Sequence, residues 1–160
     1  MIRIMFICHG NICRSPMGEF ILRDMAEKRG IGDKVFIASA ATTDDETACG
    51  GSHIYPPAKS TLLAHGINSP GVNAKRAVRL RREDYAKYDL FVPMDGENVS
   101  DARDIFGGDP DGKIKLCLDF AGFHGRDVSD PWYTRDFEQA YRDIYLGCEG
   151  IIRYISKEIM

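Results

Sequence analysis

Short apolar runs alternate along the chain with amphipathic stretches of helical period. Ile2 to Ile7 is β-branched and aromatic and too short for a helix, so it predicts a buried strand. Cys8-His9-Gly10-Asn11-Ile12-Cys13-Arg14 follows, and Ser15-Pro16 then predicts a helix start, with Ser15 as the cap. Met17, Phe20, Ile21, Met25 and Ala26 carry helical spacing up to Gly30. Val35 to Ala38 predicts a second strand, Thr42 to Pro57 a long loop, and Ala58 to His65 a short helix closed by Gly66. Arg82 to Lys87 makes a helical turn before a strand at Leu90-Phe91-Val92. Glu97 to Phe106 is a helix, Gly107 to Gly112 a turn, and Ile114 to Leu118 a fourth strand. Phe137, Tyr141, Ile144, Cys148, Ile151, Ile152 and Ile155 mark one face of a long closing helix.

This alternation predicts an α/β chain forming a single domain over residues 1–160. Its expected core is a doubly wound, four-stranded parallel sheet with helices on both faces. In open sheets of this kind a ligand sits beyond the carboxyl ends of the strands, where the Cys8 loop lies.

Composition narrows the function. The apolar share is 44 % and the charged share 28 %, which describes a folded globular protein. A net charge of −3 argues against a nucleic-acid partner, since phosphate-contacting surfaces are basic. No apolar run approaches the length of a membrane span, and no secretory leader is evident, so a cytoplasmic protein without membrane contact is expected; the expected state is a monomer. Five cysteines with no paired spacing fit neither a disulfide framework nor a zinc cage. The four histidines show no metal spacing either, so neither metal nor cofactor is expected.

The loop after the first strand carries the chemistry. Backbone amides in a tight strand-to-helix turn converge into an anion nest, reinforced by the positive end of the helix dipole. His9, Gly10, Asn11, Ile12, Cys13 and Ser15 supply that nest, and Gly10 and Asn11 tolerate the left-handed backbone it requires. Arg14 offers a planar fork for two oxygens of one phosphate. A cysteine beside an arginine at a helix N-terminus is set to ionise, so Cys8 is the candidate nucleophile, with Ser15 placed to donate to its sulfur. The Cys8-to-Arg14 spacing alone is weak, since five cysteines and 13 arginines give about 0.4 such pairs by chance. The preceding strand, the internal Gly-Asn and the following Ser-Pro give it weight.

A leaving oxyanion also needs a proton, and the chain has two Asp-Pro pairs that could supply the acid. Asp109-Pro110-Asp111-Gly112 reads as a β-turn. Asp130-Pro131 precedes Trp132 and Tyr133, two aromatics suited to line a cleft.

Cys8-His9-Gly10-Asn11-Ile12-Cys13-Arg14-Ser15-Pro16 resembles the phosphate-binding signature of the low-molecular-weight protein tyrosine phosphatases. The resemblance continues through Ser39-Ala40-Ala41-Thr42, Met94-Asp95 and Asp130-Pro131-Trp132-Tyr133, covering essentially the whole chain. It implies hydrolysis of phosphotyrosine in a protein substrate, and of small aryl phosphates, through a phosphocysteine on Cys8. It also implies that Asp130 is the general acid and base, that Asn11, Ser39 and Asp95 fix the loop, and that Cys13 can form a reversible disulfide with Cys8.

The chain departs from the family pattern in two places. Where relatives carry an aromatic cleft wall, Thr43 to Thr47 is acidic, leaving the wall to Tyr55 or His53. Where many have a histidine supporting Asn11, Gly71-Val72-Asn73 offers only Asn73. The alternatives are an arsenate reductase or a phosphoarginine phosphatase on the same scaffold, or a catalytically silent phosphate-binding module. Cys49 and Cys117 are not obviously placed to relay a disulfide, as the first requires, and the Asn11-Ile12 step departs from the Asn-Thr of the second. A mere binder needs neither Cys8 nor Asp130.

Overall fold

The computed structural model describes residues 1–159. Its centre is a parallel sheet in the order β2-β1-β3, formed by β1 (Ile2–Cys8), β2 (Val35–Ala41) and β3 (Leu90–Pro93). β1 pairs with β2 from Ile2↔Val35 to Cys8↔Ala41, and with β3 from Ile4↔Leu90 to Ile7↔Pro93. Around it lie α1 (Arg14–Lys28), α2 (Pro56–Ala64), α3 (Pro70–Ala74), α4 (Gly96–Phe106), α5 (Pro131–Thr134) and α6 (Phe137–Ile159).

Side chains of a strand alternate between faces, and both faces of β1 are covered. Ile4, Phe6 and Cys8 join one apolar cluster with Met17 and Ile21 of α1 and with Ile144, Cys148 and Ile151 of α6. Met5 and Ile7 point the other way and pack with Leu80, Phe91 and, from α4, Ala102 and Phe106. Each fully buried Ile, Leu, Met or Phe among them contributes about 1.5–3 kcal/mol.

The sheet has three strands, not the four predicted. Ile114 makes a single parallel bridge to Phe91, through Phe91 N–H to Lys113 O and Lys115 N–H to Phe91 O. The next position whose amide would face that edge is Pro93, which has no N–H, so the ladder cannot continue. The chain turns instead into a 3₁₀ segment, Cys117–Ala121, packed under α6. Gly147 and Gly150 make this approach possible, since a Cβ at either would collide with Cys117 or with the Phe120 carbonyl. Cys117 therefore lies in this turn rather than in a strand.

α1 also begins two residues earlier than predicted. Cys13 occupies its cap position without a side-chain cap bond, and Ser15 lies in the first turn with its hydroxyl used elsewhere. β2 runs three residues past Ala38, which brings Ser39 and Ala41 beside the Cys8 loop. Ala41 in turn bonds the extended segment at 78–80, through Ala41 N–H to Val78 O and Leu80 N–H to Ala41 O. No helix among the described residues is long and apolar enough to cross a membrane.

Candidate active site

The carboxyl end of β1 and the N-terminus of α1 hold the loop in which three groups converge on one sulfur. Cys8 is 3 % exposed. Its Sγ lies 3.0 Å from Ser15 Oγ and accepts from the backbone amides of Asn11 at 3.3 Å and Ser15 at 3.4 Å. Asn11 takes φ of +59°, the left-handed turn that aims its amide at the sulfur.

Arg14 is buried, and its Nη1 donates to Asp95 Oδ2 at 2.7 Å and to the Val128 carbonyl at 2.8 Å. Both bonds fall on Nη1, so the Nε–Nη2 edge is not spent on them. Burial works against the guanidinium charge, but the Cys8 sulfur, Asp95 and Asp130 outweigh it and hold Arg14 above its ordinary value. Asp95 is itself fixed, since its Oδ1 caps α4 by accepting from Asn98 N–H at 2.8 Å.

Asp130 caps α5, with Oδ1 accepting from Trp132 N–H at 3.0 Å. Its Oδ2 stands 3.5 Å from Arg14 Nη2. Trp132 and Tyr133 reach the same cleft, whose volume is about 280 Å³. Its floor is Cys8 to Gly10 and Ile12 to Arg14, and its remaining lining is Asp45, Glu46, Asp95, Glu97, Asn98 and Asp130. Cys13 is buried at its edge; burial, then the negative groups at Cys8 and Asp130, push its thiol far above the ordinary value.

Every predicted site residue gathers here or directly behind, but both expectations for the departures need correction. Neither Tyr55 nor His53 lines the cleft. Tyr55 backs Trp132, their rings 5.0 Å apart, and accepts from Arg135 through its hydroxyl at 3.2 Å. Asp45 and Glu46 line the cleft instead, and His9 Nε2 meets Asp45 Oδ2 at 2.6 Å. Asn73 lies in α3, and the group that supports Asn11 is the backbone of Val78, whose N–H donates to Asn11 Oδ1 at 3.1 Å.

Behind the loop runs a polar network that the spacing did not suggest. Asn11 Nδ2 donates to Ser15 Oγ at 2.8 Å and to Ser39 Oγ at 2.9 Å. Ser39 donates to Glu19 Oε1 at 2.6 Å. Glu19 is buried and pairs with Arg23 at 2.8 Å and Lys75 at 3.8 Å. The resemblance implies the parts of Asn11 and Ser39; for Glu19 the signal in the sequence is a glutamate set between Gly18 and Phe20 on an otherwise apolar stretch.

Residues 3–160 match the family model described as "Low molecular weight phosphotyrosine protein phosphatase". The low molecular weight protein-tyrosine-phosphatase YfkJ of Bacillus subtilis is 37 % identical, covering 99 % of this chain and 98 % of its own. The low molecular weight protein-tyrosine-phosphatase PtpA of Staphylococcus saprophyticus is 30 % identical over 99 % of this chain and 96 % of its own. The crystal structure of YfkJ superposes with a TM-score of 0.92 at 34 % identity, covering 100 % of this chain and 98 % of that one. That of SP-PTP, the low molecular weight protein tyrosine phosphatase of Streptococcus pyogenes, gives 0.83 at 32 % identity, covering 97 % and 93 %. The chain belongs to the low-molecular-weight phosphotyrosine protein phosphatases.

Proposed function

We propose that this phosphotyrosine phosphatase works through Cys8 as nucleophile, Arg14 as phosphate clamp and Asp130 as acid and then base. The observation that carries the assignment is the convergence of the Asn11 amide, the Ser15 amide and the Ser15 hydroxyl on the Cys8 sulfur, with Arg14 beside it and Asp130 beyond.

The loop amides and the Nε–Nη2 edge of Arg14 hold three phosphoryl oxygens, leaving the ester bond directed away from the sulfur. Cys8 Sγ attacks phosphorus, the S–P bond forms as the P–O bond to the aryl group breaks, and Asp130 in its acid form gives its proton to the departing oxygen. A water then attacks the phosphocysteine and yields a proton to the Asp130 carboxylate. The S–P bond breaks, and the Ser15 hydroxyl donates to the released sulfur.

Trp132 and Tyr133 suit a flat phenyl ring, and Ile12 presents an apolar side chain at the floor, which favours an aryl ester over phosphoarginine. Asp45, Glu46 and Glu97 repel strongly acidic substrate segments, an effect that salt screens. The arsenate-reductase alternative needs an outward thiol relay, whereas burial holds the Cys117 thiol up at about 12. A monomer acting on phosphotyrosine in protein substrates, in the cytoplasm and without nucleic-acid or membrane contact, is the setting this reading implies.

Cys8→Ser should abolish turnover while leaving vanadate binding largely intact, measured by vanadate quenching of intrinsic fluorescence. Retention of more than a few per cent of wild-type activity would remove Cys8 from the nucleophile role.

A further inference from the structure

We propose that Glu19 is a positioning residue for the Cys8 nucleophile, acting through Ser39, Asn11 and Ser15 to direct one proton at the sulfur. The proposal rests on the nucleophile assignment above and extends it to a carboxylate outside the cleft.

Each hydroxyl in this network has one proton to give. An ionised carboxylate only accepts, so the Ser39–Glu19 bond of 2.6 Å consumes the one hydroxyl proton of Ser39. Ser39 Oγ then meets Asn11 only as an acceptor, which requires the Asn11 NH₂ group to face it. The second N–H of that group donates to Ser15 Oγ. Ser15, now an acceptor toward Asn11, has its own proton left for Cys8 Sγ at 3.0 Å. Each donor is used once and the chain runs in one direction.

Flipping the Asn11 amide would reverse the chain and leave Ser15 donating away from the sulfur. Two anchors oppose the flip. One is the Val78 N–H to Asn11 Oδ1 bond of 3.1 Å, neutral at both ends. The other is Glu19, whose hydrogen bond is charge-assisted and therefore the stronger kind. Glu19 is in turn held by Arg23 at 2.8 Å and by Lys75 at 3.8 Å, while Lys75 Nζ also donates to the Ser39 carbonyl at 3.2 Å. Burial pulls Lys75 below its ordinary value and Glu19 pulls it back, as expected for a buried pair that holds itself in place.

The test is a double-mutant cycle between Glu19→Gln and Ser15→Ala. Glu19→Gln should lower kcat on phenyl phosphate about tenfold, the loss expected from one misdirected hydrogen bond to a charged group. It should also move the pH profile of Cys8 alkylation by iodoacetamide to higher pH. Inhibition by inorganic phosphate should change little, because the loop amides and Arg14 are untouched. In the Ser15→Ala background Glu19→Gln should have almost no further effect on kcat, since its route to the sulfur is already cut. Glu19→Asp keeps the charge between Arg23 and Lys75 but draws the carboxylate back from Ser39; it should show the same loss and the same coupling if the glutamine variant does not fold. A folded Glu19 variant with wild-type kcat and alkylation profile overturns the proposal, as does a loss that persists undiminished without Ser15. Turnover by Cys8→Ser would instead sink the nucleophile assignment and leave the direction of the hydrogen-bond chain standing.

Discussion

Asp109 and Asp130 both precede a proline, yet their surroundings divide them completely. At Asp109, Oδ1 accepts from the Tyr85 hydroxyl at 2.6 Å and from Lys113 N–H at 2.8 Å, and Oδ2 accepts from Ile114 N–H at 3.1 Å. The Asp109 carbonyl also takes the Gly112 amide at 3.2 Å and closes the turn. Partial burial opposes the Asp109 charge, but these donors outweigh it and hold the carboxyl below its ordinary value. At Asp130 one oxygen caps a short helix, and the other faces the cleft at 3.5 Å from Arg14. A carboxylate that accepts on both oxygens loses bonds whenever it takes up a proton. One with an uncommitted oxygen can carry a proton and let it go. The donors around the side chain, not the dipeptide, separate a structural aspartate from a candidate acid.

The largest effect that bears on this contrast is expected at Asp130. Asp130→Asn should slow hydrolysis of phenyl phosphate or phosphotyrosine about 10²- to 10⁴-fold, because a poor leaving group needs the proton. It should slow an activated aryl phosphate far less, so the slope of log rate against leaving-group pKa steepens. The melting midpoint should barely move, since asparagine caps a helix as well as aspartate does. A uniform loss across leaving groups would break the contrast, and leaving-group dependence at Asp109→Asn instead would invert it.

Asp109→Asn should do the reverse. We expect a stability loss of about 1–2 kcal/mol in urea unfolding, with kcat/KM within about threefold of wild type. The pH dependence has a definite sign. Asp109 is held below its ordinary 3.8, so its contribution is present above that pH and is lost as pH falls through the lower folded value. The stability gap between wild type and Asp109→Asn should therefore narrow in acid below about 3.8. A gap that widens there would mean that Asp109 is not the stabilised carboxylate.

The smallest effect is expected at Tyr85→Phe, which removes one of the three donors to Asp109 and should cost about 0.5–1.5 kcal/mol. Combined with Asp109→Asn it should add less than its separate cost, because one variant removes the bond that the other weakens by taking away its charge. Full additivity would place the role of the Tyr85 hydroxyl in accepting from Asp111 N–H at 2.9 Å rather than in holding Asp109.

What could be read from sequence follows the range of the interactions. The loop from Cys8 to Ser15 is contiguous, and its residue types betray its backbone and its charge, so it was legible. β1, α1 and α6 carry their periods openly. Ile114 to Leu118 has the composition of a strand, but what ends its pairing is Pro93 on the neighbouring strand and two glycines of α6. Those are properties of its partners. The wall at Asp45 and Glu46, the support of Asn11 by Val78 and the anchor at Glu19 are likewise set by segments far apart in sequence. Asp130 lines the cleft together with Trp132 and Tyr133, and those two aromatics are the signal in the sequence that sets its Asp-Pro pair apart from Asp109-Pro110.

The Arg14 bonds to Asp95 and Val128 have a consequence for how the protein is made. Their partners lie 81 and 114 residues downstream. A ribosome releases residues in order, and early segments fold as they emerge. A nascent chain that has reached only α4 holds the thiol loop and Asp95 but not Val128 or Asp130, so its guanidinium is tethered on one side and the candidate acid is absent. The second Arg14 anchor and the candidate acid thus join the loop only after more than four-fifths of these 160 residues have left the exit tunnel.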